Sequence, residues 1–509
     1  MKNFKYIFFA SALLFFTNCN DPEDVDLSPI MEPDPLPALT AGSADFSSFV
    51  SLGNSLTAGF TDGALFIASQ ENSLPNILSQ KFALVGGGDF TQPLTSDNFG
   101  GLAAGGARIA DPRLVFGGAG PVPLESVIGP VTVTTDIVLN NPTGPFNNMG
   151  VPGAKSFHLL FDGYGNLGNL SLGLANPYFI RMASSPTATM LGDAMAQSPT
   201  FFSLWIGNND VLGYALTGGD GSNPITPVSG APGVGFDGTY GALIATLTAG
   251  GAGGVVANIP DVRSVPHFTT VPYNPVPLDA ATASAVNAAY APYNGGLQAA
   301  FAALAGTGLF TQEELDARTI AFAAAPDNAV VIEDESLTDL GAINPAFAGL
   351  PKYRQATAAD LLVLPAASFI GTLAVPGNPL TVNGVAIPLA DKWVLVPSEQ
   401  EEIATAVAAF NDIIEGAASQ AGLALVDANT LLDQLANGGI TSGNFTLTAN
   451  LVTGSSFGLD GFHPTSRGYA LLANEFMKAI DATYGSNFEA SGNFVNVGDY
   501  PTNYSPALQ

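Results

Sequence analysis

Apolar residues in this chain fall into short continuous runs separated by longer stretches with helical spacing. The first run, Phe46 to Leu52, is β-prone and stops at Gly53 before a small polar pair, after which the chain turns helix-compatible. Thr200 to Ile206, Gly254 to Ile259 and Leu423 to Asp427 repeat the pattern, as strands buried on both faces of a parallel sheet should. Between them, Leu74, Ile77, Leu78 and Phe82 share one helical face behind a Ser73 N-cap with Pro75 in the first turn. A helix is predicted around Tyr240 to Leu247, and an alanine-rich one from Asp279 to Ala291, broken at Pro292 and resumed from Leu297 to Leu304. Ser398-Glu399-Gln400-Glu401 reads as a capping box, followed by Ile403, Val407, Phe410 and Ile414 up to Gly422. The last helix is predicted over Arg467 to Ala482, with Tyr469, Leu472, Phe476 and Ile480 inward. Strands alternating with helices predict an α/β fold with a doubly wound parallel sheet.

Three stretches depart from this alternation. Residues 21–44 are acidic and Pro-rich without periodicity, and read as a tether. Residues 86–145 are dense in Gly, Pro and Thr, and are expected to carry short hairpins near the active-site face. Residues 305–392 combine an acidic helix near Gln312 to Arg318, a strand Ala329 to Glu333, the apolar stretch Leu361 to Leu373 and a hairpin signal at Asn383-Gly384. They are the candidate subdomain or lid.

Composition narrows the function. Of 509 residues 47% are hydrophobic and only 11% charged, so the chain is rich in packing material. Forty-three acidic against 14 basic residues give a formal net charge of −29, which disfavours nucleic acid and anionic lipid surfaces as partners. Lys2 and Lys5 precede an apolar run from Tyr6 to Phe16, too short for a stop-transfer helix. Cys19, the only cysteine, rules out an intramolecular disulfide and stands just after that run. The stretch resembles a bacterial lipoprotein signal with Cys19 as the lipidated residue. The loose consensus at Phe16 and Asn18 and the acidic tail Asn20-Asp21-Pro22-Glu23-Asp24 resemble lipoproteins of Bacteroidetes sent to the cell surface. A plain secretory signal with an incidental cysteine is the alternative. The resemblance implies a signal peptide over 1–18, a tether over 19–45 and an exported chain lipid-anchored to the outer membrane.

The polar residues at the ends of the apolar runs carry the candidate chemistry. In order they are Gly53-Asn54-Ser55-Leu56, Asn148-Met149-Gly150-Val151-Pro152-Gly153-Ala154, Gly207-Asn208-Asn209-Asp210 and Asp460-Gly461-Phe462-His463-Pro464. Acyl transfer requires a nucleophile, a base held in one tautomer by a carboxylate, and donors aimed at the oxyanion. Asp460 lies three residues before His463, close enough to accept from its Nδ1–H, which would turn Nε2 toward Ser55. Gly153 lets its backbone N–H approach a substrate oxygen, and Asn209 offers an amide to the same point. Singly each motif is weak: a G-x-S is mostly a capped loop, an Asn-Asp mostly a turn, and an Asp beside a surface His mostly solvated.

Together and in this order the four blocks resemble the SGNH or GDSL hydrolase family, over a domain of residues 46–490 with the two insertions, leaving 491–509 as a tail. The resemblance implies a flavodoxin-like three-layer α/β/α sandwich. It makes Ser55 the nucleophile, Asp460 and His463 the rest of the triad, and Gly153, Asn209 and the Ser55 N–H the oxyanion hole. Asn54 departs from the family's usual Asp. His158 and His267 are expected to be structural. No cluster has metal-ligand spacing and no phosphate cradle occurs, so neither metal nor cofactor is expected. The reading is an exported serine esterase or lipase acting on a small-molecule or lipid ester. The alternatives are a carbohydrate O-deacetylase and a non-catalytic surface-anchored binding lipoprotein. With only Trp205 and Trp393 to offer aromatic platforms, the apolar stretches Leu361 to Leu364 and Phe369-Ile370 favour an acyl chain, unless they merely pack on themselves.

Overall fold

A computed structural model describes residues 35–378 and 381–509. The signal segment, Cys19 and most of the tether lie outside the described residues. Among the described residues no helix is long and apolar enough to cross a membrane.

Residues 39–509 cluster as one unit around a five-stranded sheet. Its strands are β1 (Phe49–Gly53), β2 (Asn148–Gly150), β3 (Phe201–Trp205), β4 (Gly253–Ala257) and β5 (Ala424–Val426). They run in the order β2-β1-β3-β4-β5, and every pairing is parallel. This is the flavodoxin-like order, in which the connections change direction between β1 and β3 and open a crevice beyond their carboxyl ends. The fold is α/β, as the alternation of runs and helices predicts.

Period-two burial explains the layers. Val50, Leu52, Phe202, Leu204 and Val256 face one core, shared with α4 (Phe236–Thr248) and α6 (Pro397–Ala421). Phe49, Phe201, Trp205, Val255, Ala257 and Val426 face the other, shared with α2 (Leu74–Phe82) and α8 (Ser466–Tyr484). A strand between two helical layers has no solvent face, hence the continuous apolar runs. The exception proves informative: Ser51 and Ser203, side by side on β1 and β3, satisfy each other with a 2.6 Å hydrogen bond. The remaining principal helices are α1 (Ser55–Ala58), α3 (Asn208–Leu216), α5 (Ala280–Ala303) and α7 (Ala428–Asn437).

Three local expectations are corrected. The alanine-rich helix runs unbroken through Pro292. Side chains on both sides of the proline anchor it: Asn287 to Phe322, Tyr290 to the Val385 carbonyl, and Asn294 to Ile320. Tertiary contacts thus override a cost of about 3 kcal/mol for proline in a helix interior. The cap of α6 is Val396 rather than Ser398, because Pro397 takes the first helical position and Glu399 Oε2 accepts from the Val396 N–H at 2.8 Å. Asn383-Gly384 is not the tip of a two-residue hairpin; Leu373 pairs with Val382, so the reversal comes earlier.

Residues 86–145 contain two hairpins, Leu102–Ala104 with Ala107–Ala110 and Leu114–Phe116 with Pro121–Pro123. Within 305–392, the strand Val331–Glu333 pairs with Tyr353–Gln355, and Leu361–Leu362 pairs with Val394–Leu395. Val330, Ile332, Leu362, Val363 and Leu389 enter the same core as α4 and α6, so this region is packed into the fold. The C-terminal tail also folds back: buried Arg113 donates to the Ser505 carbonyl at 2.7 Å, and Tyr504 meets Phe66 edge-on.

Candidate active site

The four polar blocks meet at the carboxyl edge of the sheet. Ser55 opens α1 directly after β1, Gly153 follows β2, and Asn209 lies in the first turn of α3 after β3, so three adjacent strands deliver three of the blocks. Asn54 caps α1 by accepting from the Leu56 N–H at 2.9 Å, and its Nδ2 donates to Asn208 Oδ1 at 3.1 Å. Asn209 Nδ2 donates to the Ala154 carbonyl at 2.9 Å. The residue before Ser55 is thus tied to the residue before Asn209, and Asn209 to the residue after Gly153. Asn54 supplies an amide donor here that an ionised Asp would lack.

The fourth block comes from the loop before α8. Ser55 Oγ lies 2.9 Å from His463 Nε2, and His463 Nδ1 lies 2.9 Å from Asp460 Oδ2. Asp460 Oδ1 accepts from the N–H groups of Phe462 and His463 at 2.9 and 3.0 Å, the geometry that its three-residue spacing makes possible. Burial opposes ionisation of Asp460, but the His463 ring and these N–H donors outweigh it and hold the carboxyl down to about 2. The carboxylate therefore stays charged across the neutral range and keeps Nδ1 protonated, leaving Nε2 to accept from Ser55. That arrangement can remove the hydroxyl proton as the oxygen attacks.

Two backbone donors remain for a developing oxyanion. Among the described residues no backbone hydrogen bond engages the N–H of Ser55, at the start of α1, or that of Gly153. Gly153 has φ +81°, a region that L side chains rarely adopt, and a Cβ there would have only Asn176 Nδ2 nearby, at 3.7 Å. The glycine is set by backbone conformation, not crowding. Asn209 has two amide hydrogens, of which the Ala154 carbonyl takes one.

His158 and His267 stand outside this chain of hydrogen bonds. His158 stacks on Tyr164 with 4.3 Å between centroids, and its Nδ1 accepts from the Lys155 N–H. His267 stacks on Phe462 at 4.0 Å, and its backbone N–H donates to the Gly461 carbonyl. Burial pushes both imidazoles down to about 4, so they stay neutral, as packing elements beside the site.

One supporting element escaped the motif reading. The turn Thr61-Asp62-Gly63 runs beneath the Asp460 loop: the Gly63 N–H donates to Asp460 Oδ2 at 2.7 Å, and Asp62 Oδ1 accepts from the Leu459 N–H at 2.8 Å. The first insertion braces it in turn, through the Leu114 N–H on the Asp62 carbonyl at 2.7 Å. An Asp-Gly turn shortly after the nucleophile was the only signal, and nothing local distinguishes it from any other turn.

Asp62 gives a pH prediction. Burial, reinforced by neighbouring Asp460 and opposed by the Leu459 N–H, Arg113 and His463, pushes its carboxyl up to about 7. An acid whose folded pKa exceeds its unfolded value of about 3.9 stabilises the fold most when protonated, so this contribution is lost as pH rises from about 4 to 7. Asp62→Asn keeps the acceptor for Leu459 and removes the titration. The melting temperature of the variant relative to wild type should therefore be higher at pH 8 than at pH 5; an equal difference at both pH values would refute the assignment.

No family model and no curated protein matches the chain. Among solved structures, the extracellular lipase from Streptomyces rimosus aligns over 88% of this chain and 100% of its own, at 11% identity and a TM-score of 0.26, a likeness too slight to bear on fold or chemistry.

Proposed function

We propose that this protein is a serine ester hydrolase of the SGNH or GDSL type, exported and anchored to the outer membrane through Cys19. The observation that carries the reading is the continuous hydrogen-bond path Ser55–His463–Asp460, with 2.9 Å at each link, beside two unengaged N–H donors. In the first half-reaction His463 Nε2 takes the Ser55 proton while Oγ bonds to the acyl carbon. The carbonyl oxygen becomes anionic against the N–H groups of Ser55 and Gly153 and the Asn209 amide. Collapse expels the alcohol, which takes the proton back from His463, and a water activated by the same ring then frees the acid.

The place we assign to an acyl chain is an apolar groove lined by Leu56, Phe462 and Pro464, the chain neighbours of Ser55 and His463, with Trp205, Leu431 and Leu472; Ser55 and His463 themselves do not line it. The 305–392 region contributes less than its composition suggests. Leu362 and Val363 are buried in the core, while Leu364 reaches the catalytic loop, 3.3 Å from where a Cβ on Gly461 would lie. Neither tryptophan presents an exposed ring face as a sugar platform: Trp205 is 4% exposed at the floor of the groove, and Trp393 stacks on Phe369 at 4.5 Å.

The test is turnover of a p-nitrophenyl ester series from acetate upward, with a fluorophosphonate to label the nucleophile. Stoichiometric labelling at Ser55 and rates that rise beyond acetate are expected. Absence of labelling and turnover would favour a binding lipoprotein, and preference for acetylated oligosaccharides a carbohydrate deacetylase. Within this reading Asn209→Ala should lower kcat by about 10²–10³-fold with a smaller change in KM, since an oxyanion donor acts in the transition state. A change confined to KM would make Asn209 a substrate-binding group instead.

A further inference from the structure

The carboxylate of Asp460 has four donors, and three of them belong to its own loop: the N–H groups of Phe462 and His463 on Oδ1, and His463 Nδ1 on Oδ2. The fourth is the Gly63 N–H, which shares Oδ2 with the histidine and, among the described residues, alone reaches this carboxylate from outside the loop. A carboxylate held only by its own loop moves with that loop. One held by a separate segment is fixed against the rest of the fold, so whatever fixes that segment bears on the base.

Gly63 belongs to a tight reversal. Thr61 and Ala64 exchange both backbone hydrogen bonds, at 3.1 and 3.0 Å, around Asp62 at φ +53° and Gly63 at φ +78°. Positive φ at both central residues is what a type I′ turn requires, and Asp-Gly is a favoured pair for it. The turn meets the catalytic loop at a second point, where Asp62 Oδ1 accepts from the N–H of Leu459, the residue before Asp460, at 2.8 Å. The approach is so close that the loop needs a glycine opposite: a Cβ on Gly458 would lie 2.5 Å from Thr61 Oγ1 and 3.0 Å from Asp62 Oδ1. Gly458 in turn donates to the His463 carbonyl at 2.7 Å, so the turn grips the loop that carries both acid and base.

Two segments outside the catalytic motifs brace this arrangement. The Leu114 N–H donates to the Asp62 carbonyl at 2.7 Å, so the Asp62–Gly63 peptide unit accepts from the first insertion and donates to Asp460, a chain in which each bond polarises the next. Arg113, fully buried beside Leu114, donates to the carbonyls of Asn98 at 2.8 Å and of Ser505 in the tail at 2.7 Å. The Tyr504 hydroxyl bonds to Ser466 at the start of α8, three residues after His463.

We infer that Asp62 is a positioning residue for catalysis, tying Leu459 to the turn that donates to Asp460 and so aiming the Asp460 carboxylate at His463 Nδ1. The inference rests on the serine-hydrolase reading. Asp62 has no hydrogen bond to Ser55 or His463, and acts only through the loop that holds the base.

The test compares Asp62→Gly, which tolerates the positive φ but loses the acceptor for Leu459, with Asp62→Asn, which keeps both. On p-nitrophenyl butyrate Asp62→Gly is expected to lower kcat by about 10-fold or more with little change in KM, since a misplacement of about 1 Å can cost about 10²-fold. Asp62→Asn should recover most of that loss. The far-downfield proton NMR signal of His463 Nδ1 gives a readout that needs no turnover; it is expected in wild type and Asp62→Asn, and weakened in Asp62→Gly. Each variant is measured below its own melting transition. Asp62→Gly with wild-type kcat and an undiminished signal would overturn the inference, as would a loss that Asn does not recover or one that falls on KM. A wild type that shows the signal but turns over no ester would refute the hydrolase reading, and the signal in Asp62→Gly would still decide whether Asp62 positions Asp460.

Discussion

Ser55→Ala is expected to lower ester turnover by about 10³-fold or more while leaving thermal unfolding unchanged. In the proposed mechanism the hydroxyl supplies the atom that bonds to the acyl carbon, and no neighbour would replace it: His463 Nε2 is its hydrogen-bond partner, and Asn209 and Gly153 are placed as N–H donors. The change removes one oxygen from a site 8% exposed and leaves the Ser55 backbone N–H and the Asn54 cap in place. Any residual rate should come from the oxyanion donors and from binding. Matched measurements of kcat/KM on p-nitrophenyl butyrate and of melting temperature decide it. A variant with normal unfolding and near wild-type activity would sink the serine mechanism.

Asp460→Asn is expected to reduce kcat by about 10³–10⁴-fold near neutral pH, by analogy with the loss of the carboxylate in other triads. Asn keeps an acceptor for the backbone donors Phe462 and His463, but its amide nitrogen replaces Oδ2, so it leaves the Gly63 N–H without its acceptor and presents a donor to His463 Nδ1, favouring the tautomer that carries the proton on Nε2. That proton would block removal of the Ser55 hydrogen. The loss should fall mainly on kcat, because Asp460 touches His463 and not substrate. It should also ease at high pH, where hydroxide can assist. Some fall in melting temperature accompanies the lost Gly63 hydrogen bond; a deficit confined to KM, with kcat unchanged, would mean that Asp460 does not orient the base.

The strands and most helices were legible because buried parallel strands must be apolar on both faces, and amphipathic helices must repeat their apolar positions. Phe49 to Gly53, Phe201 to Trp205 and the inward face of α8 follow directly from those constraints. Chain breakers were legible only as tendencies. Pro292 sits inside α5 because Asn287, Tyr290 and Asn294 hold both halves in one line, and those partners arrive from residues 320 to 385.

By itself the sequence determined the residue types available at the strand ends, a hydroxyl, an imidazole and a carboxylate, and the resemblance of the four blocks to the SGNH or GDSL family pointed to Ser55, Asp460 and His463 among them. Only the tertiary structure decided their distances and what braces them. The 2.9 Å links, the Asn54–Asn208 and Asn209–Ala154 ties, and the Asp62-Gly63 turn under Asp460 are contacts between segments up to hundreds of residues apart. Local sequence encodes propensity and chemistry, whereas convergence of distant side chains is set by how strands and helices pack, a property of the whole chain.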